Sequence, residues 1–169
     1  MLDSLIKYQA RNFDYAKRLT ADLTDAQWCA QPSVAGGGKV TNHAAWVLGH
    51  LLHVAEKTTL TKILGQPNKF NTAWDELFHG KSQPIADASK YPNKATLIAA
   101  LEDAYGRIAA ALKKADASIL NKPTPAEMGG FAQRFPTIGD ALIHLMAGHE
   151  SVHLGQVSAW RRAQGLPAV

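Results

Sequence analysis

Four long stretches of the chain repeat their apolar residues at helical spacing, and none alternates apolar and polar residues as a half-buried strand would. The first, at about residues 3–23, puts Leu5, Ile6, Phe13, Ala16 and Leu19 on one face. A short helical turn follows, with Thr24 as its N-cap and Pro32 ending it. Gly36-Gly37-Gly38 is then a loop, because three glycines in a row cost regular structure too much backbone entropy. The second helix is predicted to run from an N-cap at Thr41 or Asn42 to Leu64, where Gly65 supplies a left-handed stop and Pro67 prevents resumption. The third covers about residues 94–115, with Leu97, Ile98, Leu101, Ala104, Tyr105, Ile108 and Leu112 as its apolar stripe. The fourth starts at Thr137, with Asp140 as the acid of a capping box. It ends at Gln164 before Gly165 and Pro167, and Arg161 and Arg162 complement its C-terminal dipole. A connection at 66–92 separates the second and third helices, with a short helix at about 72–78 and turn residues Gly80, Pro84 and Pro92. A connection that long inside a compact domain covers a site or crosses a bundle. Pro123, Pro125, Gly129 and Gly130 mark another loop before the fourth helix. The expected architecture is all-α, a four-helix bundle.

At 169 residues without internal repeat or low-complexity tract, the chain is read as one domain, 1–169. A hydrophobic fraction of 46% and a charged fraction of 19% fit a folded globular domain. Cys29 is the single cysteine, which excludes an intramolecular disulfide and a thiolate metal cluster. The start, Met1-Leu2-Asp3-Ser4-Leu5-Ile6-Lys7-Tyr8, has no charged segment followed by a long apolar run, and the apolar stretch 44–52 is far too short to span a bilayer. A cytoplasmic protein with no membrane partner is therefore expected. The formal charge of +4 and pI near 9.2 come from scattered basic residues, without the one-sided basic face and interleaved aromatics of nucleic-acid binders. Nucleic acid is not an expected partner.

Seven histidines stand out. His43, His50 and His53 fall on the second helix, His144, His149 and His153 on the fourth, and His79 in the long connection. His149 and His153, four residues apart, share one helix face a turn apart, a spacing that lets two imidazoles reach one ion at about 2.0–2.1 Å. Projection at 100° per residue gives an inward stripe of Ile138, Leu142, Leu145, Met146, His149, Val152, His153, Gln156 and Trp160, with His144 on the opposite, surface side. Buried imidazoles need partners, and a shared metal ion supplies one. The string His149-Glu150-Ser151-Val152-His153 also fits the His-Glu-x-x-His of zinc peptidases. The elongated form of that motif needs a glycine at 156 and a histidine at 159, where this chain has Gln156 and Ala159. No acid follows Glu150 to act as a downstream ligand, and no strand is there to bind a peptide. The third ligand must come from upstream. On the second helix His50 lies at the centre of the stripe that also carries His43 and His53, the two alternatives to it. Three imidazoles leave a coordination position open, as in catalytic sites. Glu150, about 100° round the helix from His149, is a candidate base or ligand-orienting group, with an exposed helix glutamate as the other reading. Gln156 is placed to hydrogen-bond a ligand or to hold a ring.

Trp46-Val47-Leu48-Gly49-His50-Leu51 together with His149-Glu150-x-x-His153-Leu154-Gly155-Gln156 resembles the DinB/YfiT-like family of metal-dependent enzymes. Helix order, the long connection and the closing Arg161-Arg162-Ala163-Gln164-Gly165-Leu166-Pro167 agree over essentially the whole chain. The resemblance implies an up-down-down-up four-helix bundle, frequent homodimers, and a divalent ion such as zinc or nickel on His50, His149 and His153. It also implies chemistry like that of the bacillithiol and mycothiol S-transferases and the mycothiol-dependent maleylpyruvate isomerases, in which the metal activates a low-molecular-weight thiol co-substrate. The expected activity is a thiol-dependent S-transferase. A metal-dependent hydrolase is the alternative, and a bundle that binds metal or a small molecule without turnover is a third reading.

Overall fold

Three of the four long helices begin where a side chain answers the free N–H groups of the first turn. The structure, a computed structural model, describes residues 1–33 and 36–169. Helix α1 is Leu2–Thr20. Helix α2 spans 44–63, an α-helical half Ala44–His53 continuing into a π-helical half Val54–Ile63. Helix α3 is Lys94–Lys114, capped by Asn93, whose side chain accepts from the Thr96 N–H. Helix α4 spans 138–163 and is capped by the predicted Thr137–Asp140 box. The cap of α2 is not Thr41 or Asn42 but His43, whose Nδ1 accepts the Trp46 N–H at 3.2 Å. Asn42 is instead drawn across to Gln156. The predicted turn at Thr24 forms as Asp25–Trp28 with a full capping box, and Gly65 stops α2 at φ 61°. The predicted helix at 72–78 forms as a 3₁₀ turn, Thr72–Trp74, leading into Asp75–Phe78. Among the described residues no β-strand forms, and no helix is long and apolar enough to cross a membrane.

Cross-contacts set the chain directions. Gln9 meets Glu150 and Leu19 meets Arg161, so α1 and α4 run parallel. Phe13 meets Tyr105 while Lys94 reaches the Thr20 carbonyl, so α1 and α3 are antiparallel. Asn42 meets Gln156 and His50 meets His149, so α2 and α4 are antiparallel. His43, just before α2, packs on Tyr91, just before α3, and Glu56 pairs with Arg107, so α2 and α3 are parallel neighbours. The result is an up-down-down-up four-helix bundle. Parallel neighbours cannot be joined by a tight turn, so 64–93 must travel back along the bundle. Phe70, Phe78 and Tyr91 of this crossing segment are buried and bind it to the core.

Arg161 fastens the other end. It is 1% exposed, and its guanidinium grips both oxygens of Asp22 at 2.6 and 2.9 Å while donating to the Leu19 carbonyl. A bidentate pair of this kind, with its remaining donors also used, joins the ends of α1 and α4.

Helix α4 departs from regular geometry. Ile138–Ile143 is α-helical, His144–His149 is a π-helical turn, and Glu150–Ala163 is α-helical again. A π turn carries an extra residue per turn. Beyond it the buried face runs through Glu150, Leu154, Val157, Trp160 and Arg161, with Val152 62% exposed. The projected stripe is therefore displaced by one position: His149, His153 and Gln156 lie half-buried on the flank of α4, turned to α2, and Glu150 lies in the core.

Gly49 marks the closest approach of the crossing segment. A Cβ there would lie 2.1 Å from Cε1 of the fully buried Phe78 ring. Gly49→Ala is expected to destabilise the protein by about 1–3 kcal/mol, as overpacking of a filled core does. Urea denaturation measures it, and a midpoint equal to that of the parent would contradict the packing described.

Candidate metal centre

Local sequence fixes each imidazole before the three converge. His50 sits mid-way along α2, and its Nδ1–H donates to the Phe78 carbonyl at 2.8 Å. Because a carbonyl only accepts, this bond assigns the proton to Nδ1 and leaves a lone pair on Nε2. Trp46, one turn earlier, stacks on the His50 ring at 4.9 Å and 4°, and its Nε1–H donates to Ser82 Oγ at 2.8 Å. Both supports, Phe78 and Ser82, belong to the crossing segment. His153 donates from Nδ1 to Gln156 Oε1 at 3.0 Å, and the same oxygen accepts from Asn42 Nδ2 at 3.0 Å. His153 Nε2 is thus the second free lone pair.

One nitrogen from each of His50, His149 and His153 falls within 4.8 Å of the others, and Nε2 of His50 and of His149 lie 3.3 Å apart. Two ligands about 2.0–2.1 Å from one tetrahedral ion are separated by about 3.3 Å. Burial pushes His149 down to about 3 and His153 down to about 4, and lowers His50 from its ordinary value. All three are neutral near pH 7, the form that binds a cation. His149 Nδ1 is buried with no hydrogen-bond partner. Three neutral imidazoles converging at this spacing suit a divalent ion, so the residues fit the group.

The other predicted residues fall elsewhere. His43 caps α2 and donates from Nε2 to the Ile85 carbonyl at 3.1 Å; it is fully buried away from the trio. His53 lies 3.6 Å from Asp75 and packs edge-on to Phe70. His79 Nδ1 accepts the Lys81 N–H. His144 is not on the opposite surface: it is half-buried, stacked on Phe135 at 4.2 Å and 17°, with its ring 6.0 Å from that of His149. It opens the π turn, which swings it towards the cluster.

Glu150 is neither a base at the cluster nor an exposed glutamate. The shift of register buries it to 4% exposure, where its carboxyl accepts from Gln9 Nε2 at 2.7 Å and Asn12 Nδ2 at 3.1 Å and meets the Tyr105 hydroxyl. These partners lie on α1 and α3, so the group is turned from the imidazoles; burial outweighs its hydrogen bonds and raises it to about 8. Gln156 holds the His153 ring. Asn42 and the Phe78 carbonyl are the positioning groups that sequence reasoning missed: Asn42 reads as a helix cap, and a backbone carbonyl has no signature in sequence.

A family model described as the DinB superfamily matches residues 10–157. No curated protein matches the chain. Among solved structures the chain is similar to YfiT from Bacillus subtilis, described as a probable metal-dependent hydrolase with an unusual four-helix bundle topology. That likeness has a TM-score of 0.65 at 20% identity and covers 98% of this chain and 89% of that one, and it is a likeness of fold.

His43 has a consequence for acid stability. Burial lowers it to about 4 from its ordinary 6.5, so the folded state favours the neutral ring whose Nδ1 caps α2. A proton on Nδ1 would remove that acceptor. Its stabilisation is present above pH 6.5 and is lost as the pH falls from 6.5 through about 4. His43→Asn keeps a cap acceptor that does not titrate. The metal-free variant should lose stability less steeply over that interval in urea titrations, and identical pH slopes for variant and parent would refute this role.

Proposed function

The chain belongs to the DinB superfamily, and on that basis we propose that it is a metal-dependent enzyme holding one divalent ion, zinc or nickel, between His50, His149 and His153. The observation that carries this reading is the convergence of three neutral imidazoles, two of them with the outer nitrogen already committed to a protein acceptor. A divalent ion in such a donor set acts as a Lewis acid and lowers the pKa of a bound water or thiol towards neutrality. The chain's own groups do the positioning. The Phe78 carbonyl and Gln156 fix the tautomers of His50 and His153, and Trp46 shields one face of the His50 ring. Three protein donors fall one short of a closed tetrahedral site, which supports turnover over storage.

The preferred reaction is S-transfer from a low-molecular-weight thiol, bacillithiol or mycothiol, to a small electrophile. Support comes from the placement of Glu150: with its carboxyl held by Gln9 and Asn12, it is not available to take a proton at the cluster. A thiol, with an ordinary pKa near 8.5, needs far less help to ionise than water at about 15.7. Hydrolysis is the second reading, favoured by the fold shared with YfiT and by that protein's description as a probable metal-dependent hydrolase.

Protein purified without added metal should carry about one equivalent of divalent ion, as a three-donor site predicts. His50→Ala, His149→Ala and His153→Ala should each reduce it to background, with His53→Ala unchanged; metal retained in the first three would overturn the assignment. The loaded enzyme is then offered haloaromatic and epoxide electrophiles with bacillithiol, mycothiol, glutathione or coenzyme A, and esters and amides without thiol. Turnover in the thiol set alone supports S-transfer, and turnover in the ester and amide set alone supports hydrolysis.

A further inference from the structure

A depression of about 530 Å³ opens between the start of α4 and the short helix Gly130–Arg134 that precedes it. Sites for small molecules commonly fall at about 300–1,000 Å³. Gly148, which precedes His149 in the chain, lies in its wall, with the His144 ring against it. His144, also in the wall, has its ring 6.0 Å from that of His149.

The wall has two chemical characters. One part is flat and apolar: Phe135 is stacked on His144 and braced by Phe131 at 4.9 Å, and Ile143 in the same wall is 45% exposed. The other is a cation. Arg134 lines the depression and forms no salt bridge among the described residues. The acid in the wall, Asp140, is turned to the cap of α4, its Oδ2 accepting from the Thr137 N–H at 3.2 Å and the Thr137 hydroxyl at 2.6 Å. A guanidinium left free beside an aromatic surface matches a planar anion, which it can take with two parallel hydrogen bonds.

We propose that this depression binds the substrate of the three-histidine site, and that the substrate is a small molecule with a flat apolar body and one anionic group. The anion sits on Arg134 and the body lies against Phe135, His144 and Ile143. The word substrate rests on the function proposed above; the binding of the anion does not.

The test uses zinc-loaded full-length protein and ligand-observed fluorine NMR with four probes: 4-fluorobenzoate, 4-fluorophenylphosphonate, 4-fluorobenzamide and fluoroacetate. The two aromatic anions should bind; the neutral amide should bind more weakly by up to about fivefold, the scale of an exposed ion pair, and the anion without a body more weakly through the loss of its apolar contact. The stronger of the two anions shows whether a carboxylate or a phosphonate is preferred. Arg134→Gln, a surface change, should reduce 4-fluorobenzoate to the level of the amide at unchanged zinc content, and Ile143→Asp should weaken both. The proposal is overturned if Arg134→Gln leaves 4-fluorobenzoate affinity unchanged, since the carboxylate then rests on the metal or elsewhere, or if the amide binds as well as the acid. Arg134-dependent binding by a protein that takes up no zinc would uphold the anion site and remove the metal reading. Stoichiometric zinc without Arg134-dependent binding would do the reverse.

Discussion

The π turn at His144–His149 decides which residues of α4 face the core, and the site follows from it. Upstream, Ile138, Ala141, Leu142, Leu145 and Met146 are buried. A regular helix would continue that stripe through His149 and His153. The extra residue of the π turn passes the buried position to Glu150, Leu154 and Val157 and leaves the imidazoles on the flank against α2. Such a turn disturbs the regular ladder of backbone bonds, so its carbonyls need other donors. Asn12 of α1 supplies one, donating to the Met146 carbonyl at 3.3 Å and to Glu150 at 3.1 Å from the same amide. Gln9 then completes the Glu150 carboxyl, so two residues of α1 hold the distortion that aims His149.

Topology supplies the second half. With α2 and α3 parallel, their connection must run the length of the bundle, and this one passes over the His50 side of α2. The approach is close because Gly49 presents no Cβ to the Phe78 ring. That contact brings the Phe78 carbonyl to Nδ1 of His50, and Ser82 to the indole stacked on the same ring. A feature that begins as a problem of chain direction therefore ends as the orientation of one imidazole.

Much of this was legible in the sequence, for identifiable reasons. The helix limits at α2 and α4 follow from Gly65 and the Thr137–Asp140 box, local signals that tertiary structure leaves alone. The meeting of His149 and His153 follows from their four-residue spacing, since both are joined by regular helix beyond the π turn. The π turn itself was not legible: no proline marks it, and a single inserted residue leaves the composition of His144–His149 unremarkable. Every misplaced residue of α4 follows from that omission. A regular helix places Glu150 near the imidazoles, Val152 in the core and His144 on the far surface; in the structure Glu150 lies in the core, Val152 is exposed and His144 lies beside His149. The His43 cap was missed because Thr41 and Asn42 are the commoner cap types, and only the packing of the crossing segment shows that the Ile85 carbonyl draws His43 inward.

Adjacent residues of α4 thus carry two polar clusters of opposite kind. The Glu150 carboxyl is closed off, with donors from Gln9, Asn12 and Tyr105 and 4% exposure for the residue as a whole. His149, one residue earlier, is half-buried, lacks a partner on Nδ1 and points Nε2 at another lone-pair nitrogen. A satisfied buried network stiffens a core, and an unsatisfied one is costly unless something binds it. Placing the trio at the Glu150 position would have sealed it in the bundle. On the flank, between α2 and α4, the imidazoles are buried enough to remain neutral and open enough for a ligand to arrive, and the single inserted residue separates those two outcomes.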